Sequence, residues 1–245
     1  MPIEHSSKQY QLDLEAIRSR VLQMGGLVEK QFYDAMNCFR TLNVTESERI
    51  ISGDIEVNRM EVALDDACTH LIVKRQPAAN DLRTVMATIK IITDLERIGD
   101  EATKIARAAH AIHQRGLAPI AHEETVRVMA ASAGKQLHDV LDAFARLDAK
   151  QATRVIVADE EIDHEYRSAM RTAITFMMED PRTISAALDT VWVAKAIERI
   201  GDHAKNIAEY VIYIVEGKDI RHTDYASTQQ NAQQSNPQDN PENNP

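Results

Sequence analysis

The chain has 245 residues, with only 8 glycines, 7 prolines and 4% aromatic residues. A sandwich or barrel of that length needs turn residues about every 8–12 positions and many aromatic or β-branched strand formers, so the composition excludes both. Thirty-eight acidic against 28 basic residues give a net charge of −10, and no basic run is longer than Lys74-Arg75, which excludes the clustered footprint of a nucleic-acid binder.

A hydrophobic fraction of 44% with 27% charged residues fits a folded chain with ample core. Cys38 and Cys68 do not make a disulfide framework and are expected as buried free thiols on helices. The start of the chain carries neither a basic nor an apolar leader segment. No apolar run approaches the roughly 18 residues of a membrane span, so a cytoplasmic protein is expected.

Helical periodicity runs nearly throughout. The first predicted helix extends from Tyr10 to about Leu42, with Leu14, Ile17, Val21, Met24, Val28, Phe32 and Met36 on one face. The second starts near Thr45, where Thr45-Glu46-Ser47-Glu48 has the form of a capping box, and runs to Lys74 before Pro77. The third spans Asn80 to Gln114 and stops at Gly116, with Pro119 beyond. The fourth covers Glu123 to Leu147 and the fifth Lys150 to Met178. A sixth follows Asp180-Pro181, with proline at its first position, and ends at Gly217. Helices this long suit a coiled coil, bundle or helical repeat, and the short connections favour antiparallel neighbours. Residues 223–245 are rich in Asn, Gln and Pro with little to bury and are expected to be disordered.

The chain repeats itself. Glu96-Arg97-Ile98-Gly99-Asp100 returns 102 residues later as Glu198-Arg199-Ile200-Gly201-Asp202. The stripe Ile91, Leu95, Ile98, Ala102, Ile105, Ala109, Ile112 returns as Val193, Ile197, Ile200, Ala204, Ile207, Val211, Ile214. Upstream, Asp54-x-x-Val57-Asn58 aligns with Asp159-x-x-Ile162-Asp163 after a three-residue slip near Pro77. The pattern predicts an all-α fold made of two copies of a three-helix unit, residues 8–117 and 118–222.

In each copy Glu and Asp stand at i and i+4, on one side of a helix at the edge of its apolar stripe. Like charges so placed repel, and a bound cation offsets that; two carboxylates suit Mg²⁺, Mn²⁺ or iron. Asp54 with Asn58, and Asp159 with Asp163, supply further oxygens on the adjacent helix. Asn206 extends the later series beyond Glu198 and Asp202, where the first copy has Lys104. Arg97 and Arg199 provide a competing reading, in which the acids form ordinary ion pairs. Gly99 and Gly201, each costing about 1 kcal/mol against Ala inside a helix, need a packing or ligand reason. His203 stands beside Asp202, and Glu161-x-x-His164 is a single copy of a signature that a di-iron bundle needs twice. Phosphate loops, nucleophile elbows and zinc motifs are absent from the sequence. A metal-dependent oxidase or hydrolase and a purely structural helical array remain as alternatives.

The two Glu-Arg-Ile-Gly-Asp motifs, together with Met24-Gly25-Gly26-Leu27-Val28-Glu29, Arg75-Gln76-Pro77-Ala78-Ala79-Asn80-Asp81-Leu82-Arg83 and Asn206-Ile207-Ala208-Glu209-Tyr210-Val211, resemble the PhoU family. The likeness covers residues 8–222. It implies two tandem antiparallel three-helix bundles with pseudo-twofold internal symmetry, commonly as a homodimer. It also implies a non-enzymatic cytoplasmic negative regulator of the phosphate-starvation response and phosphate uptake. Such a protein acts as an adaptor between the ATPase subunit of a phosphate ABC transporter and a sensor histidine kinase, meeting the membrane complex only peripherally. Some members bind metal ions through these motifs. Carried over, that places ligands at Glu96, Asp100, Glu198 and Asp202, with Asp54, Asp159, Asp163 and Asn206 around them, for Mg, Mn, Fe or Zn.

Overall fold

The computed structural model describes residues 2–116, 123–221 and 223, and among these it is helical with no strand. Six helices follow in order: α1 (Pro2–Thr41), α2 (Val44–Arg75), α3 (Ala79–Gln114), α4 (Glu123–Arg146), α5 (Ala149–Glu179) and α6 (Ile184–Glu216). A single 3-10 turn, Pro181–Thr183, opens onto α6. Pro119 and the expected disordered segment 224–245 lie outside the described residues.

Two expectations need correction. α1 begins at Pro2, eight residues before Tyr10, because residues between Pro2 and Gln9 carry no breaker and continue the helix. The cap of α2 is not Thr45 but Asn43, whose Oδ1 accepts from Glu46 N at 3.1 Å. A short Asn side chain one residue before the first helical position reaches that amide directly, whereas Thr45 is already inside the helix.

The corner in the second unit is built the same way. Leu42 and Leu147 both take left-handed backbone, φ 51° and 53°. Asn43 and Asp148 then cap the following helices, Asp148 Oδ1 accepting from Lys150 N at 2.9 Å and Gln151 N at 3.0 Å. Each first helix also carries the same i, i+4 ion pair, Lys30 with Asp34 and Lys135 with Asp139. The units therefore match at an offset of 105 residues through their first two helices and 102 in the third. Gln76, Pro77 and Ala78, which form the α2–α3 corner, have no counterpart. As expected from sequence, α6 ends on left-handed Gly217, whose N–H donates to Tyr213 O at 3.0 Å.

Helices α1, α2 and α3 pack on one another, and α4, α5 and α6 do the same; α3 against α6 and α1 against α4 join the two units. α2 and α5 sit on the outside, each touching helices of its own unit. All fourteen residues of the repeated α3 and α6 stripes are buried. One apolar core runs continuously through both units, with Met24, Phe32, Leu64, Ile91 and Ile98 fully enclosed in the first and Met129, Leu137, Phe144 and Ile162 in the second. Each such side chain contributes roughly 1.5–3 kcal/mol of burial. Cys38 and Cys68 are free and buried. Among the described residues, no helix is long and apolar enough to cross a membrane.

Candidate metal centres

The repeated glycines are explained by packing. A Cβ on Gly99 would stand 3.3 Å from Val57 Cγ1, and one on Gly201 would stand 3.0 Å from Ile162 Cδ1. Val57 and Ile162 are equivalent residues, so in each unit the third helix presses its glycine onto the second. The same close approach brings the carboxylates of the two helices together.

Along the α2–α3 seam, Glu96 and Asp100 of α3 meet Asp54 and Glu61 of α2, and Asp65 lies beside Glu61. Burial pushes the Glu96 carboxyl above its ordinary value, and Asp100, Glu61 and Asp54 push the same way against Arg97. Glu61 is raised by burial and by Asp65 and Asp100, and Asp65 by burial and Asp66. Asp54 Oδ1 accepts from the Thr103 hydroxyl at 3.2 Å, and Thr103 Oγ1 in turn accepts from Gln31 Nε2 at 3.0 Å. The Gln31 side chain reaches this seam from α1, and its Oε1 is buried with no partner. Arg97 Nε stands 3.5 Å from Glu96 Oε2 at the exposed rim.

The α5–α6 seam gathers Asp159, Asp163, Glu198 and Asp202. Asp159 is buried, its Oδ2 accepting from Lys205 Nζ at 2.9 Å and its Oδ1 from Gln136 Nε2 at 3.4 Å. Both Glu198 oxygens lie 2.6 Å from Lys195 Nζ, which sits 5.2 Å from the centre of the Tyr166 ring. Arg167 stands 3.6 Å from Asp163. Burial, then Glu198 and Asp159, push the Asp202 carboxyl up to about 6 although the residue lies at the surface. For Lys205, burial works against the ammonium, and the hydrogen bond to Asp159 together with the charges of Asp159, Glu209 and Asp202 outweighs it, leaving the group above the usual lysine value.

Seven of the eight ligand candidates thus fall into two seams. Asn206 does not: its Nδ2 donates to Asp94 Oδ1 at 3.2 Å, across the contact between the units. His203 goes the same way, Nδ1 lying 2.8 Å from that oxygen. Lys104 also faces this contact, pairing at 2.8 Å with buried Glu101, which Arg199 approaches from α6 at 3.1 Å. Glu61 and Asp65 were missed by sequence reading, although Asp54, Glu61 and Asp65 stand at i, i+7 and i+11 on one helical face. Gln31, Thr103, Lys195 and Lys205 carry no motif of their own and emerge only once the helices are packed.

Among the described residues, no three His, Cys, Asp or Glu side chains converge closely enough to hold a metal ion. The donor set still fits a hard cation, since carboxylates and an unpaired amide oxygen are the groups that Mg²⁺ and Mn²⁺ take, whereas zinc draws on His and Cys. Nucleophilic chemistry has less support. Ser47 Oγ lies 3.0 Å from His110 Nδ1, but the serine is fully buried and its hydroxyl donates to Val44 O at 2.7 Å.

Comparison with known proteins supplies the context for this geometry. Residues 21–109 and 126–211 each match the PhoU domain, so the repeat in the chain is a repeat of that domain. A Pseudomonas aeruginosa protein described as a phosphate-specific transport system accessory protein PhoU homolog is 45% identical over 218 residues, covering 89% of this chain and 90% of that one. The Escherichia coli K12 accessory protein PhoU is 44% identical over 219 residues, covering 89% and 90%. The crystal structure of PhoU from Pseudomonas aeruginosa matches with a TM-score of 0.82 at 44% identity, over 85% of this chain and 100% of that chain. A phosphate transport system regulatory protein PhoU from Streptococcus pneumoniae matches at 0.79 and 28% identity, over 86% and 98%.

Proposed function

Because the chain belongs to the PhoU family, we propose that it is the accessory protein of a phosphate-specific transport system and works there as a regulator, not as an enzyme. It restrains phosphate uptake and the phosphate-starvation response from the cytoplasm, linking the transporter's ATPase subunit to a sensor histidine kinase and meeting the membrane complex only peripherally. The observation that carries this reading is the coverage: identity of 45% extends over 89% of the chain, with no domain left over for a separate activity in the matched span. An all-helical scaffold can regulate by offering surfaces whose affinity differs between a partner's conformations. Assembly as a homodimer belongs to the same reading. In cells lacking the protein and grown at high phosphate, a reporter for phosphate-starvation genes is expected to switch on; a silent reporter would refute the regulatory role.

Metal binding at the Glu-x-x-x-Asp seams is the second part of the proposal. A divalent cation there neutralises the facing carboxylates, and the chain's own part is to hold them on two helices that the glycine contact keeps close. Support comes from the raised carboxyl of Glu96 and from the unpaired amide oxygen of Gln31. Replacing Glu96, Asp100, Glu198 and Asp202 together by Ala is expected to abolish bound metal in elemental analysis, and unchanged metal content would overturn this part alone.

A further inference from the structure

The two seams share a scaffold but not a charge balance, and this resting on the metal reading above leads to a sharper statement. We propose that only the first seam takes up an external divalent cation, and that in the second the chain's own Lys195 and Lys205 stand where that cation would act.

In the first seam, Asp54, Glu61, Asp65, Glu96 and Asp100 are five carboxylates, and Arg97 is the cation that bears on Glu96 and Glu61. Lys104, the lysine nearest in sequence, is turned away onto Glu101. In the second seam, four carboxylates meet three cations: Lys195 on Glu198, Lys205 on Asp159 and Arg167 beside Asp163. Five matched positions, Val62 to Arg167 among them, move toward positive charge, and Asn58 to Asp163 alone moves the other way. Thr93 and Thr103 of α3 become Lys195 and Lys205 of α6, while Glu61 and Asp65 of α2 become Tyr166 and Met170 of α5. The changes also cooperate, because the Tyr166 ring supports the Lys195 ammonium at the place where the first unit carries the Glu61 carboxylate.

A second observation points to a ligand in the first seam. Gln31 is only 7% exposed, and its Oε1 has no hydrogen-bond partner; it lies 3.5 Å from where a Gly99 Cβ would stand, beside the Glu96–Asp100 turn. Gln136 has an unpaired Oε1 too, so this oxygen marks both seams. The seams part at the neighbouring carboxylate: Asp54 is met by the neutral hydroxyl of Thr103, and Asp159 by the ammonium of Lys205. Asp159 has its charge answered inside the protein; Asp54 does not. An entering cation would have to displace two ammonium groups from the second seam and none from the first.

The test uses full-length, metal-stripped protein and Mn²⁺ as the probe, with uptake read by calorimetry and by elemental analysis after gel filtration. Glu96→Gln/Asp100→Asn is expected to weaken Mn²⁺ binding by more than about tenfold, in the range seen when metal sites lose supporting groups. Glu198→Gln/Asp202→Asn is expected to leave uptake unchanged within about twofold, since that seam does not bind in the first place. Lys195→Thr/Lys205→Thr, which restores the first unit's residues, is expected to add Mn²⁺ uptake that the unaltered protein lacks. Equal losses from both acid-neutralising variants, or loss from the second alone, would overturn the asymmetry while leaving metal binding in place. No Mn²⁺ uptake by the unaltered protein would instead overturn the metal reading itself. Should the lysine variant not fold, the two acid-neutralising variants decide the question.

Discussion

The first and second units keep the same frame and differ in the charge balance on it, the first seam being the more acidic. Positions that set the frame are matched in kind: Leu42 with Leu147 at the corner, Gly99 with Gly201 under Val57 and Ile162, and Gln31 with Gln136 reaching into the seam. Positions beside the carboxylates are not, since neutral Thr93 and Thr103 stand opposite Lys195 and Lys205. Backbone approach tolerates little change because a helix pair either closes or does not. The charges lining it are free to diverge, as long as each buried one finds a partner. A repeat is thus evidence for a shared scaffold and weaker evidence for a shared ligand.

The sharpest way to break the comparison is at the glycines. Valine at Gly201 is expected to cost roughly 3 kcal/mol and valine at Gly99 roughly 2 kcal/mol, because overpacking forces the second helix away. Ordering follows the distances, 3.0 Å to Ile162 against 3.3 Å to Val57. Urea midpoints would check this, and a Gly201→Val protein of full stability would show that the helices are not held so close.

Next in size is Lys205→Thr, expected to destabilise metal-free protein by about 2 kcal/mol, since Asp159 would stay buried with only an amide beside its charge. The reciprocal Thr103→Lys should raise stability in metal-free buffer, and thermal melts of the two variants should move in opposite directions.

Asp202→Asn tests the electrostatics with a smaller change. The folded Asp202 carboxyl titrates near 6 against an ordinary value of 3.8, so the folded protein holds this proton more tightly than the unfolded chain. Its stability contribution is therefore present at low pH and lost as pH rises through that window. Asn should stabilise the protein above about pH 6 by less than about 1 kcal/mol, given solvent screening, with no gain below about pH 4. A gain independent of pH would contradict the assignment. The smallest effect concerns the corners. Leu147→Gly should be neutral or favourable by about 0.5 kcal/mol, relieving left-handed backbone at a residue with 36% exposure. Leu42→Gly should be unfavourable, because Leu42 also packs on the core.

Much of this architecture was legible in the sequence. Apolar spacing placed all six helices, and the five-residue repeat located both seams, because a strong stripe beside a rare glycine leaves few alternatives. Legibility failed where a side chain had two faces within reach. Asn206 sits one turn beyond Asp202, yet helix α6 touches α3 as well as α5, and Asp94 claims it. Lys205 gave no warning because its partner, Asp159, lies 46 residues away on another helix. Lys104, which stands where the later series has Asn206, points to Glu101. The cap of α2 was misplaced because Asn43 and Thr45 are both good capping residues and only backbone geometry separates them.

The contact between α3 and α6 carries a last consequence. It joins the halves through a continuous core and through buried acids, Asp94 held by His203 and Asn206, Glu101 by Arg199. Covalent continuity between Gln114 and Glu123 therefore adds little to what already holds them. Cut there, the chain would behave as two polypeptides that stay together as one particle, and fragments of the two halves produced separately should find each other and complement. In that sense the two units meet as subunits of a dimer would, while sharing one peptide chain.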